Sequence, residues 1–187
     1  MTFSLFLLNI INFSFIAILP KLFFKKGSFN AMWCLTGSPF FFCGVSLLLS
    51  LMGHLPVAAA TLGYRHILEP ISMVLNVASF SLISYTLGTH RVPLALWHQN
   101  DDAPQSIITY GAYGRIRHPF YASFLLAFLA AFLYAPQLGT LVCMLAGFII
   151  LDRTAAREER RLSASEFGAD YQAYIRRTGR FFPRILG

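Results

Sequence analysis

The chain has 187 residues, of which 56% are hydrophobic and only 12% charged, with a formal net charge of +7. A soluble domain carries about a quarter charged residues, and its apolar residues alternate with polar ones at a period near 3.6 or 2. Here they come in blocks, which excludes a core built in water and predicts a chain that uses the bilayer as solvent.

The first block runs from Phe3 to Leu19. No positive segment precedes it and no small-x-small cleavage site follows, so it reads as a retained helix and not as a signal peptide. Lys21, Lys25 and Lys26 come after it, which predicts an N-terminus outside. The second block spans Ala31 to Met52. The third begins near Pro70 and ends near Leu87, with Glu69-Pro70 suited to a first turn. The fourth runs from Pro119 to Tyr134 and the fifth from Leu138 to Leu151, joined through the uncharged turn Ala135-Pro136-Gln137 as a hairpin. Asp152 to Leu162 contains no Gly or Pro, so the fifth helix is expected to continue to Ser163. It would then be about 39 Å long at 1.5 Å per residue, enough to cross the hydrocarbon and project beyond it. Arg153, Arg157 and Arg161 then share one face, with Glu158 and Glu159 beside them in reach of those arginines.

The expected architecture is an all-α integral membrane protein with about five transmembrane helices in one domain. Residues 1–87 supply three helices. Residues 88–187 supply the other two, with an inner loop over 88–118 and a tail over 152–187. Fourteen of the 15 basic residues fall on the inner side if the N-terminus is outside, leaving only Arg65 on the outer side, which predicts a cytoplasmic C-terminus. Basic residues facing anionic lipid account for the net charge without nucleic acid. Cys34, Cys43 and Cys143 lie in apolar blocks and read as small hydrophobes. His54, His66, His90, His98 and His118 do not fall into metal-ligand spacing.

Two runs carry chemistry. In the first, Tyr110 to Tyr121, the segment Arg117-His118-Pro119 enters the fourth helix. Proline suits a first helical position, the amides after it lack partners, and Arg117 adds a planar fork matched to a carboxylate. The run reads as an anion-binding corner, or as a helix start whose basic side chains snorkel. The second holds Glu158-Glu159, Phe167-Gly168, Tyr171, Tyr174 and Arg180-Phe181-Phe182-Pro183. The acids read equally as a solvated helix face, and the tyrosines as an interfacial anchor.

Taken together, Gly111-x-Tyr113-x-x-x-Arg117-His118-Pro119-x-Tyr121, the hairpin, Glu158-Glu159-x-x-Leu162, Phe167-Gly168-x-x-Tyr171-x-x-Tyr174 and Arg180-Phe181-x-Pro183 resemble the isoprenylcysteine carboxyl methyltransferase family. Membrane phospholipid N-methyltransferases share much of the pattern. The resemblance covers about residues 105 to 184. It departs at Ala112, where many members have proline, and at Ala155-Ala156-Arg157, where some are acidic. It implies S-adenosylmethionine as cofactor, in a cytoplasmic pocket walled by the inner loop, the hairpin and the tail. Gln105, Ser106, Ile107 and Ile108 would line the nucleoside, with Tyr113 packed nearby. His118, Pro119, Phe120 and Tyr121 would hold the methionine end, and Arg117 and Glu159 belong to the same cofactor-binding set. Arg153 and Glu158 would touch the methyl acceptor, a lipophilic molecule such as a prenylcysteine-like carboxylate entering from the membrane lipid. The Arg-His-Pro-x-Tyr corner and the final proline also resemble NADPH-dependent reductases of the sterol and steroid type. A non-enzymatic membrane scaffold is the third reading.

Overall fold

The computed structural model describes residues 2–23, 31–89 and 107–184. Among them the regular structure is helical, apart from a single parallel bridge between Ile116 and Gly179. The helices are α1 (Phe3–Phe23), α2 (Ala31–Leu51), α3 (Arg65–Thr89), α4 (Pro119–Tyr134), α5 (Leu138–Ser163) and α6 (Gly168–Arg177). Short 3-10 turns at Ala59–Tyr64 and Gly111–Gly114 precede α3 and α4.

Two expectations change. The described helices number six, because the tail folds back into α6 after α5 ends. Its ten residues are too few to register as an apolar block, yet Tyr171 and Tyr174 turn inward and are buried. They are not an interfacial anchor. Asp170 in its first turn and Arg176 and Arg177 in its last complement the helix dipole. In addition, α3 starts at Arg65, so Pro70 lies inside it. At the sixth helical position proline forfeits one early hydrogen bond, and the 3-10 turn leading into Arg65 winds the chain before proline is reached. The Ala58 amide anchors that turn on the carbonyl of Pro136, at 2.8 Å.

Helix α4 is the axis of the bundle. It packs against α1, α2, α3 and α5, most extensively against α3. Phe124, Ala127, Phe128, Ala130 and Ala131 are fully buried. Phe128 stacks on Phe40 of α2 with ring centroids 4.2 Å apart and meets Phe13 of α1. Gly147 of α5 admits that ring, since a Cβ there would stand 2.5 Å from it. The α4–α5 turn is tied by Gln137, whose side-chain oxygen accepts from the Gly139 amide while its nitrogen donates to Ser46 of α2.

The seam between α1 and α3 is polar. Asn12 donates to Asn76 and Asn76 to Asn9, at 3.0 and 3.1 Å, and Ser72 and Ser79 donate to the α4 carbonyls of Ala130 and Ser123. All five side chains belong to residues of zero exposure. The outer surface has the opposite character: Phe41, Phe42, Val74, Val77, Leu138 and Val142 are exposed. By length and composition, the 3-10 turn with α3 and the α5 helix are each long and apolar enough to cross a membrane.

Candidate functional site

Chain direction places the site. Helix α4 starts, and α5 ends, at the same end of the hairpin, so Pro119 and the charged last turns of α5 become neighbours. Leu151, Ala155 and Glu159 recur every four residues on the buried stripe of α5. Glu159 is therefore carried inward against the residues that open α4.

Glu159 has three basic partners. The Nε of Arg117 donates to its Oε1 at 2.8 Å, and Nε2 of His118 lies 3.2 Å from the same oxygen. Arg180 donates through Nη2 to Oε2 at 2.7 Å and through Nε to Oε1 at 3.2 Å. Burial alone would raise this carboxyl; the hydrogen bonds from His118, Arg180 and Arg117 outweigh it and hold the group well below the usual carboxylate range. Arg180 also donates to Asp152 at 2.7 Å, and its hydrogen bond to Glu159 raises its own pKa.

The C-terminal strap completes the cluster. The amides of Arg117 and His118 donate to the carbonyls of Gly179 and Arg180, and the Gly179 amide to Arg115. Nη1 of Arg117 donates to the Thr178 carbonyl at 2.5 Å. Phe181 is buried edge-on to His118. Gly179 is required because a Cβ there would collide with the carbonyl of Phe182.

Glu158 sits on the other side of His118. The Tyr121 hydroxyl donates to its Oε1 at 2.7 Å, and Nδ1 of His118 lies 3.5 Å from its Oε2. The His118 and Tyr121 rings stack with an interplanar angle of 3°. Burial raises the Glu158 carboxyl to about 7, reinforced by the charge of Glu159 and opposed by the Tyr121 hydrogen bond. Burial, with Arg117 and Arg180 nearby, lowers the His118 pKa despite its bond to Glu159. His118 is thus neutral at pH 7. Ionised Glu159 assigns the ring proton to Nε2 and leaves Nδ1 as an acceptor facing Glu158.

Of the residues singled out in the sequence, the structure brings Arg117, His118, Tyr121, Glu158 and Glu159 into one cluster. The corner expected to take an external anion from Arg117 is filled from within by Glu159, which meets Arg117 and Arg180 instead of neighbouring arginines on α5, while Glu158 meets Tyr121 and His118. Pro119 and Phe120 are buried at the head of α4. Tyr113 is half-buried, with its carbonyl accepting from the Tyr174 hydroxyl at 2.6 Å. Ile107 and Ile108 are half-buried ahead of the 3-10 turn, and Gln105 and Ser106 lie outside the described residues. Arg153 is exposed and, among the described residues, makes no ion pair. It lies two residues beyond buried Leu151, about 200° around the helix and away from the cluster. Sequence reasoning missed Arg180 and Asp152 as members of the site. Arg180 was visible in a motif, but nothing in its spacing ties it to Glu159.

Beside the cluster, a groove of about 400 Å³ opens between α5 and α6, bordered by Glu159, Arg160, Ser163, Gln172, Ile175 and Arg180. Comparison with protein-family models and with curated proteins gives no match to this chain.

Proposed function

We propose that the chain is an integral membrane enzyme that transfers a methyl group from S-adenosylmethionine to a lipophilic acceptor at the cytoplasmic face, the acceptor being a prenylcysteine-like carboxylate. The observation that carries this reading is the convergence of Arg117, His118 and Tyr121 with Glu158 and Glu159 across some forty residues of sequence. The two halves of the motif that resembles the isoprenylcysteine carboxyl methyltransferases form one cluster at one end of the bundle.

The membrane part of the reading rests on apolar side chains outside and amides and hydroxyls inside, the arrangement expected where lipid replaces water. Helices α1 to α5 cross, with the spanning part of α5 ending near Leu151, and α6 lies beyond the lipid. At 16 residues, α4 is short for a span, which its burial among four neighbours accommodates. The distribution of basic residues supports an N-terminus outside and a cluster facing the cytoplasm.

The donor set fits the cofactor. Its amino-acid end carries both charges, and the cluster offers both at its accessible edge: Arg180 at 32% side-chain exposure and Glu158 at 20%. Ile107, Ile108 and Tyr113 would border the nucleoside. When bound, S-adenosylmethionine supplies a methyl group already activated on a sulfonium, so the protein's task is orientation and exclusion of water. Arg117 and His118 lock Glu159, which fixes the strap and hence Arg180. Tyr121 orients Glu158. Arg153, exposed on α5 and without an ion pair among the described residues, suits an anionic acceptor at the membrane surface. Calorimetric titration with S-adenosylhomocysteine and with NADPH tests the reading. Micromolar-range binding of the first alone is expected, and binding of NADPH alone replaces it with the reductase reading. Mass spectrometry of lipid extracts after incubation with labelled S-adenosylmethionine then identifies the acceptor.

A further inference from the structure

Two adjacent glutamates are treated in opposite ways. Glu159 is held by two arginines and a histidine. Glu158, next to it and four-fifths buried, pairs with no lysine or arginine among the described residues. A buried carboxylate without a fixed counter-ion is costly, and a purely structural role here would be served by glutamine. The arrangement instead suits a carboxyl that carries its own proton. Because Glu159 claims the proton on Nε2 of His118, Nδ1 presents a lone pair toward Oε2 of Glu158, and Tyr121 donates to the remaining oxygen. A protonated Glu158 can turn its hydrogen toward that lone pair, 3.5 Å away; an ionised one leaves a negative charge needing a cation.

We propose that Glu158 is a proton-exchange seat for the cationic end of the cofactor: it is protonated while the site is empty and ionises when a sulfonium or ammonium group takes the proton's place. The proposal rests on the cofactor reading above and adds that binding is proton-linked. The proton leaves to bulk water through the exposed edge of the side chain. Charged and titratable groups face Glu158 from each packed element. Tyr113 lies before α4, His118 and Tyr121 at its head, and Arg157, Glu159 and Arg161 flank Glu158 on α5. Tyr171 faces it from α6. Arg157 and Arg161 favour the ionised form from a distance without pairing with it, and Glu159 opposes them. With the carboxyl at about 7, the exchange falls within the physiological range.

The test is the affinity of the full-length protein in detergent for S-adenosylmethionine, measured by calorimetry from pH 5.5 to 7.5. The ionised fraction of Glu158 rises over that range from ~0.03 to ~0.8, so affinity is expected to rise about twentyfold, with proton release detectable as a dependence on buffer ionisation heat. A flat profile overturns the seat. No binding at any pH overturns the cofactor reading instead. Glu158→Gln is expected to bind weakly with a flat profile, and a variant that keeps the wild-type slope overturns the assignment to Glu158. Should that variant not fold, Tyr121→Phe removes a donor to the ionised form and is expected to move the midpoint upward; an unmoved midpoint again overturns the seat. Infrared difference spectra supply a ligand-side readout independent of turnover. A protonated-carboxyl band present in the empty wild type and lost on adding S-adenosylmethionine is expected, and its persistence overturns the exchange.

Discussion

His118 Nε2 and Glu159 Oε1 lie 3.2 Å apart although 41 residues separate them. That contact joins the start of α4 to the end of α5, and both sides of it converge on the C-terminal strap.

Arg117 is the residue on which this junction depends. It is 9% exposed and donates to Glu159 and to two carbonyls near the strap. Arg117→Ala leaves Glu159 with fewer partners and is expected to cost about 3 kcal/mol, the cost typical of breaking a buried pair by removing one member. Arg117→Lys should recover a minor part, because one ammonium cannot serve three acceptors in a fork. Thermal unfolding in detergent measures both, and an unchanged midpoint for the alanine variant contradicts the role.

The pH dependence of stability isolates Glu158. Its folded pKa is raised to about 7 from an ordinary 4.5. Between those values the folded state binds more protons than the unfolded one, so this group's contribution falls as pH rises from 4.5 to 7 and is level above. His118, with its lowered pKa, works in the opposite direction below pH 6.5. The difference between wild type and Glu158→Gln removes that term. The glutamine variant is expected to gain on wild type in melting temperature as pH rises from 5 to 8.

Topology is checked by reporter fusions. Fusions after Gly88 and Gly187 should report the cytoplasm and one after Leu51 the outside, since 14 of the 15 basic residues then lie within. Outside activity from the Gly187 fusion would contradict both this orientation and the proposed use of a cytoplasmic cofactor.

Arg153 separates acceptor chemistry from cofactor binding. It is exposed, so Arg153→Ala is expected to leave folding and S-adenosylhomocysteine affinity intact while lowering turnover about a hundredfold, the scale of a misplaced reactant. Arg153→Lys should restore little, and Arg157→Ala should change turnover little. Wild-type turnover in Arg153→Ala makes this face a membrane anchor only.

The helices were legible in the sequence because apolar blocks and prolines are local signals. Phe3, Ala31, Pro119 and Leu138 open their helices where expected, and α5 runs to Ser163 because nothing from Asp152 to Leu162 breaks it. The start of α3 was not legible: proline is favoured in a first turn but tolerated a turn further in, and the 3-10 turn after Ala58, whose amide is tied to the Pro136 carbonyl, winds the chain before proline is reached. The short α6 was hidden because its burial depends on partners elsewhere in the chain. The same division holds at the site. Composition and motif spacing by themselves determined the helical character and singled out His118, Tyr121, Glu158 and Glu159. Which glutamate is locked by arginines and which meets a tyrosine was decided only by the tertiary structure. The two are adjacent and chemically identical, and they differ only because 100° of helix rotation turns Glu159 toward Arg117 and Arg180 and Glu158 toward Tyr121.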